Sequence, residues 1–144
     1  MDQKKYIKLV LDNFMFKELD NDGFRTLFHN AVIKPYRVGD TLIEEGSSGD
    51  QFCMIVEGSV VVTTIKDGIT TELAKLKTGA IIGEVAALTG AKRTATITAA
   101  EITKAIFFHK DALIKLTKRF DSLKERFEDI ITSRAMDTIN KLNE

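Results

Sequence analysis

Between Ile82 and Thr96 the chain reads IGEVAALTGAKRTAT, which sets glycines, one carboxylate, a run of small residues and one arginine between two β-like segments. Glycines at 79 and 83 allow close approach of the backbone to a partner. The segment EVAAL, Glu84 to Leu88, suits one short helical turn whose first amides point outward. Such amides attract an anion. Arg93 follows ten positions after Gly83, far enough for the chain to double back over LTGAK and bring its guanidinium to the same place. A bidentate arginine and free amides together suit a phosphate. Glu84 would repel that phosphate unless it accepts hydrogen bonds from another part of the same ligand, and a sugar hydroxyl is the obvious donor.

The elements that must position these groups are legible from periodicity. From Lys4 to about Asn30, the residues Ile7, Val10, Leu11, Phe14, Leu19, Phe24, Leu27 and Phe28 recur at roughly helical intervals, interrupted at LDNDG. Two short helices and a turn are expected there. From Val32 to Phe108 the pattern changes to β-rich runs, FCMIVEG, SVVVTTI and TATITAAEITKAIFF, separated by glycine turns. Asp67-Gly68 between two of these runs signals a hairpin. Short strands at this spacing predict a sandwich or barrel with jelly-roll-like pairing.

After Phe108 the chain turns helical again, with Leu113, Leu116 and Phe120 on one face. A further helix is expected from near Asp121, with Ser122 and Glu125 as a capping box. Its residues Leu123, Phe127, Ile130, Ile131, Ile139 and Leu142 form an apolar stripe opposite Lys124, Glu125, Glu128 and Asp129. That stripe suits packing on its own domain, a dimer helix or a movable lid.

At 144 residues the chain is expected to be one domain. Charged residues are 29% of the chain but cancel to a formal net charge of +0, so no basic tail for nucleic acid is present. The single cysteine, Cys53, has no internal partner and reads as a small core residue, which fits a reducing cytoplasm. No apolar run is long enough to span a bilayer and the N-terminus lacks a signal-peptide core, so membrane insertion is not expected. The stretch ELDNDG opens like a calcium loop, but the twelfth position would be His29, where a bidentate glutamate is needed. Histidines occur only at 29 and 109, too few for the metal site of a cupin-type enzyme, and His109 reads as a strand end rather than a catalytic base. Neither a metal nor catalysis is expected.

GEVAAL followed by RTATITA closely resembles the phosphate-binding cassette of cyclic nucleotide-binding domains, including the spacing from glycine to arginine. Upstream, VGDTLIEEGSSGDQFCMIVEGSVVV is similar to the strand and glycine-turn pattern of that family, and the likeness runs from about Phe14 to Phe127. The resemblance implies a mainly β fold like that of catabolite activator protein and the regulatory subunit of protein kinase A: an eight-stranded, jelly-roll-like β-roll (double-stranded β-helix) with N-terminal helices and two C-terminal helices. N-terminal helices would occupy about residues 1–30, the roll 31–108 with its cassette at 82–96, and the C-terminal helices 109–144.

By the same resemblance, Gly83, Glu84, Val85 and Ala86 would face the ligand, with Glu84 on the ribose 2′-hydroxyl. Arg93 would pair with the cyclic phosphate, and Thr94 and Ala95 would complete the phosphate contacts. The ligand would be cAMP or cGMP. Thr94 occurs with either base in similar domains, and the reading leans slightly to cAMP. Ala87 departs from the family, which usually has a larger apolar residue there.

The implied role is a stand-alone, cytoplasmic ligand sensor in signal transduction, whose cassette moves inward on binding while the helices after Phe108 reposition. About two dozen residues follow Phe120, too few for a winged-helix module. The output is expected to act through an effector protein in trans or a homodimer built on Leu123, Phe127, Ile130 and Ile131. The alternative is a protein-interaction module that keeps the roll and binds no nucleotide.

Overall fold

A computed structural model describes residues 3–142. Its strands are β1 (Val32–Tyr36), β2 (Thr41–Ile43), β3 (Gln51–Glu57), β4 (Ser59–Lys66), β5 (Ile69–Lys77), β6 (Ile81–Ile82), β7 (Thr96–Ala99) and β8 (Thr103–His109). They form two four-stranded antiparallel sheets, in the orders β1-β8-β3-β6 and β2-β7-β4-β5. Around them lie helices α1 (Gln3–Asp12), α2 (Asn21–Phe28), α3 (Glu84–Thr89), α4 (Lys110–Arg119) and α5 (Asp121–Leu142). This is the β-roll with flanking helices that the resemblance implied.

The apolar run in β3 has a reason. Successive side chains of a strand point to opposite faces, and here both faces are covered. Phe52, Met54 and Val56 face the helices, in a core shared with Phe16, Leu27, Leu113, Leu116, Leu123 and Phe127. Cys53 and Ile55 face into the roll, beside Ile43, Val60, Ile82, Ile97 and Phe107. The partner strand β8 divides in the same way, because Phe52 is opposite Phe108 and Cys53 is opposite Phe107. Phe52 and Phe108 stack with ring centroids 5.2 Å apart, and Phe127 meets Phe52 edge-on at 6.3 Å. Each fully buried large apolar side chain contributes about 1.5–3 kcal/mol, so this aromatic group is what fixes the helices to the first sheet.

The Asp67-Gly68 hairpin forms as expected. Lys66 pairs with Ile69, and both turn residues have positive φ, 54° and 78°. That left-handed pair matches the twist of the flanking strands. Within ELDNDG, Asp20 caps α2, its carboxylate accepting from the Gly23 amide at 2.7 Å.

Two expectations about α5 are corrected. Ser122 is not a capping residue, because the helix already begins at Asp121. Instead Arg126 foremost, bonded at 2.7 Å, and then the Ser122 hydroxyl hold the Glu18 carboxyl below its ordinary range. Nor is the apolar stripe continuous. Leu123 and Phe127 are buried in the chain's own core, whereas Ile139 is 54% exposed. A homodimer built on Leu123 and Phe127 would have to pull them out of that core.

No helix among the described residues is long and apolar enough to cross a membrane.

Candidate functional site

Gly83 turns the chain from β6 into α3 with φ of 85°, in the left-handed region that favours glycine. Helix α3 ends at Gly90, φ 74°, whose amide donates to the Ala86 carbonyl at 2.9 Å. Ala86 and Ala87 are buried and Val85 is half-buried. Although small, Ala87 packs into the helix-side core, which anchors one face of α3 and leaves Gly83 and Glu84 at the mouth of the turn.

Arg93 returns to this place as its spacing suggested. Its backbone is pinned to the loop after β2: its amide donates to the Ser47 carbonyl and its carbonyl accepts from the Gly46 amide, both at 2.8 Å. Its Nη1 donates to the Gly83 carbonyl at 2.8 Å and its Nη2 to the Gln51 carbonyl at 2.6 Å. Among the described residues no carboxylate forms an ion pair with it. Burial lowers its pKa from the ordinary value, opposed by the Cys53 thiolate form and by the Glu84 and Asp50 carboxylates. A half-buried cation held by neutral carbonyls keeps a charge that an anion can compensate. Beside it opens a cavity of about 190 Å³, lined also by Lys34, Tyr36, Ser47, Ser48 and Gly49.

Glu84 is 1% exposed. Its Oε1 accepts from Nη1 of Arg134, on α5, and Nη2 of the same guanidinium donates to the Ile81 carbonyl. Its Oε2 is buried without a hydrogen-bond donor among the described residues. Leaving such an acceptor unsatisfied costs about 1–3 kcal/mol, more when it is charged. The carboxylate is thus fixed by one oxygen and open to a donor at the other.

Of the residues singled out from the sequence, Gly83, Glu84 and Arg93 come together. Thr94 is exposed and its carbonyl accepts from the Thr64 hydroxyl at 3.4 Å. Ala95 is half-buried beside it. No hydrogen bond among the described residues joins the Thr94 side chain to Gly83, Glu84 or Arg93. The histidines lie elsewhere, on the rim of a cavity of about 540 Å³ between α2 and the start of α4. His109 caps α4, its Nδ1 accepting from the Asp111 amide at 3.1 Å.

Three participants escaped the sequence reading: Gln51, Gly49 and Arg134. For Arg134 a signal existed. Leu123, Phe127, Ile130 and Arg134 follow one another at intervals of four, three and four, so a basic residue stands where the inward stripe calls for an apolar one.

Residues 33–120 match the family model of the cyclic nucleotide-binding domain, and the chain belongs to that family. It is 33% identical over 98 residues to the cAMP-dependent protein kinase regulatory subunit of Mycosarcoma maydis, a match covering 68% of this chain and 19% of that protein. To the type II regulatory subunit of Drosophila melanogaster it is 30% identical over 129 residues, 88% of this chain and 34% of that one. The chain therefore spans from a fifth to a third of the length of these relatives. In fold it resembles the catabolite activator protein of Thermus thermophilus, with a TM-score of 0.74 at 19% identity over 90% of this chain and 61% of that one.

Proposed function

We propose that the chain binds a cyclic nucleotide at the cassette, cAMP ahead of cGMP, and works as a regulatory sensor rather than an enzyme. The observation that carries this reading is the pairing of two unmet demands. Among the described residues, Glu84 Oε2 is buried with no donor and the Arg93 guanidinium has only carbonyl partners. One ligand bearing both a hydroxyl and an anionic phosphate satisfies both. Arg93 takes the cyclic phosphate, with the first amides of α3 behind it, and Glu84 takes the ribose 2′-hydroxyl. In this reading Val85, Ala86, Thr94 and Ala95 complete the contacts around the ligand. Membership of the family and the cAMP-dependent relatives support the choice of ligand class.

In this mechanism Arg93 exchanges its bonds to the Gly83 and Gln51 carbonyls for the phosphate, and the cassette moves inward. Helices α4 and α5, which pack on α3 and the first sheet, reposition with it. A ligand shifts such an equilibrium only by its differential affinity for the two arrangements. The described residues then act as one ligand-binding unit, whose output passes to an effector protein in trans, in the cytoplasm.

The test is a thermal-shift and calorimetric titration of wild type and Arg93→Ala with cAMP and cGMP. A ligand that binds only the folded state raises the melting temperature with concentration. A shift with wild type that Arg93→Ala abolishes is the expected result, and the two titrations rank the bases. No shift with either nucleotide, in protein freed of co-purified ligand, would instead favour a roll used for protein interaction. Intact nucleotide after prolonged incubation is expected for a sensor.

A further inference from the structure

The geometry points to Lys34 as a residue that reads the base of the nucleotide, by donating to acceptors on the purine edge, and so sets how far cGMP competes with cAMP; this rests on the nucleotide reading above. Lys34 lies on β1, far from the cassette in sequence, yet it lines the same cavity as Arg93.

Strand alternation turns its side chain inward. Ile33 packs against the helix-side core and Tyr36 against the roll-side core, so Lys34, two residues before Tyr36, faces into the roll. Its ammonium stands 4.8 Å from the centroid of the Phe107 ring, and Phe107 is 5% exposed. A ring face attracts an ammonium without supplying the oxygen or nitrogen acceptors that its three donors can use. Among the described residues no ion pair or hydrogen bond joins Lys34 Nζ to such an acceptor. Two carboxylates, Glu44 and Asp50, also line the cavity, and Asp50 faces Nε2 of His109 at 3.4 Å.

The order of the strands says which end of a ligand Lys34 meets. In the sheet β1-β8-β3-β6 the cassette, which follows β6, is at one edge and Lys34 at the other. Ile82, Cys53, Phe107 and Val32 form a single row across that floor. Neighbouring strands are about 4.8 Å apart, so Phe107 lies about 10 Å from the cassette end of the row. A nucleotide held by its phosphate at Arg93 and by its ribose at Glu84 has only its base left to reach across that distance.

A lysine donates and never accepts. On the purine edge that carries N7, guanine offers two acceptors, N7 and O6, whereas adenine sets a donating amino group beside N7. Lys34 therefore helps guanine more than adenine, and narrows the preference for cAMP proposed above.

The test is a calorimetric titration of wild type, Lys34→Met and Lys34→Arg with cAMP, cGMP and cyclic inosine monophosphate, which keeps O6 and N7 but lacks the guanine amino group. Lys34 is exposed on an edge strand, so both variants are expected to fold. Lys34→Met is expected to weaken cGMP and the inosine nucleotide together, by about 5- to 150-fold for a contact to two acceptors, and cAMP by less. The ratio of cAMP to cGMP affinity then rises. Lys34→Arg, whose guanidinium also donates to O6 and N7, keeps the wild-type ratio. Equal losses for all three nucleotides would put Lys34 on the phosphate or the sugar and overturn the proposal. So would no loss in Lys34→Met, or a loss for cGMP that spares the inosine nucleotide. Wild type that binds cAMP and neither of the others overturns it too. No binding of any of the three to wild type overturns the nucleotide reading, and the role of Lys34 with it.

Discussion

The Arg93 guanidinium lies against Gly49 so closely that a Cβ added there would stand 2.6 Å from Nη2. Gly49 is half of a slot whose other wall is Gly83, where a Cβ would stand 2.7 Å from Nη1. Two glycines from distant parts of the chain thus make room for one arginine.

Gly49→Ala is accordingly expected to push the guanidinium off the Gln51 carbonyl with limited harm to the fold. Overpacking typically costs about 1–3 kcal/mol, and here the obstructing atoms are the end of a flexible side chain. Calorimetry should show weakened cyclic nucleotide binding beside a modest fall in melting temperature.

Gly83→Ala meets a second obstacle, since φ is 85°. A left-handed backbone costs a non-glycine residue about 1–2 kcal/mol, in addition to the clash with Arg93. Urea denaturation should show a larger loss of stability than Gly49→Ala, and binding should fall as well.

Phe127→Ala should detach α5 from the core. Phe127 is 1% exposed and lies near both Phe16 and Phe52. Removing a buried phenylalanine costs about 3–5 kcal/mol. The expected outcome is a large drop in the denaturation midpoint, with exchange protection lost along the whole of α5. Protection retained there would show that the polar contacts alone dock the helix.

Burial pushes the Cys53 thiol up to about 12 from 9.0. In the folded protein the thiol is neutral and enclosed, so a thiol reagent at pH 8 should label it only after unfolding. The sign of the pH effect follows from the raised value. Below pH 9 both states hold the proton and the full contribution to stability is present. Between 9 and about 12 the unfolded state releases its proton first, so stability falls as pH rises. Unfolding curves across that window should fall less steeply in Cys53→Ala.

Arg93→Ala and Arg134→Ala should differ in kind. Arg93 faces the anionic part of the proposed ligand, so its loss should weaken cAMP and 2′-deoxy-cAMP alike. Arg134 acts through Glu84, so its loss should be felt by the 2′-hydroxyl form. Parallel titrations of the two ligands against both variants separate the roles.

Much of this was legible in the chain because it depends on neighbours in sequence. The Asp67-Gly68 turn forms where it was expected, since its two left-handed residues are a local preference. The β runs and the helices flanking them follow from period, and the cassette from the residue types between Gly83 and Arg93. The continuous apolar run in β3 announced burial on both faces, which the helix-side and roll-side cores supply.

What periodicity could not decide was which inward-facing groups meet. The Glu84–Arg134 pair joins residues 50 apart and the Arg93–Gln51 bond residues 42 apart. Both depend on how α5 and the loop before β3 lie across the cassette. The apolar stripe of α5 was read as reaching Leu142, yet the core closes after Phe127 and Ile139 stays in solvent. A helix repeats its faces indefinitely, whereas the sheet it packs on ends. The roll, its turns and the residue types of the cassette could be read along the chain, because they rest on local propensity and alternation. That Arg134 bonds one oxygen of Glu84 and leaves the other without a donor among the described residues emerges from the fold alone, because it depends on packing between elements far apart in the chain.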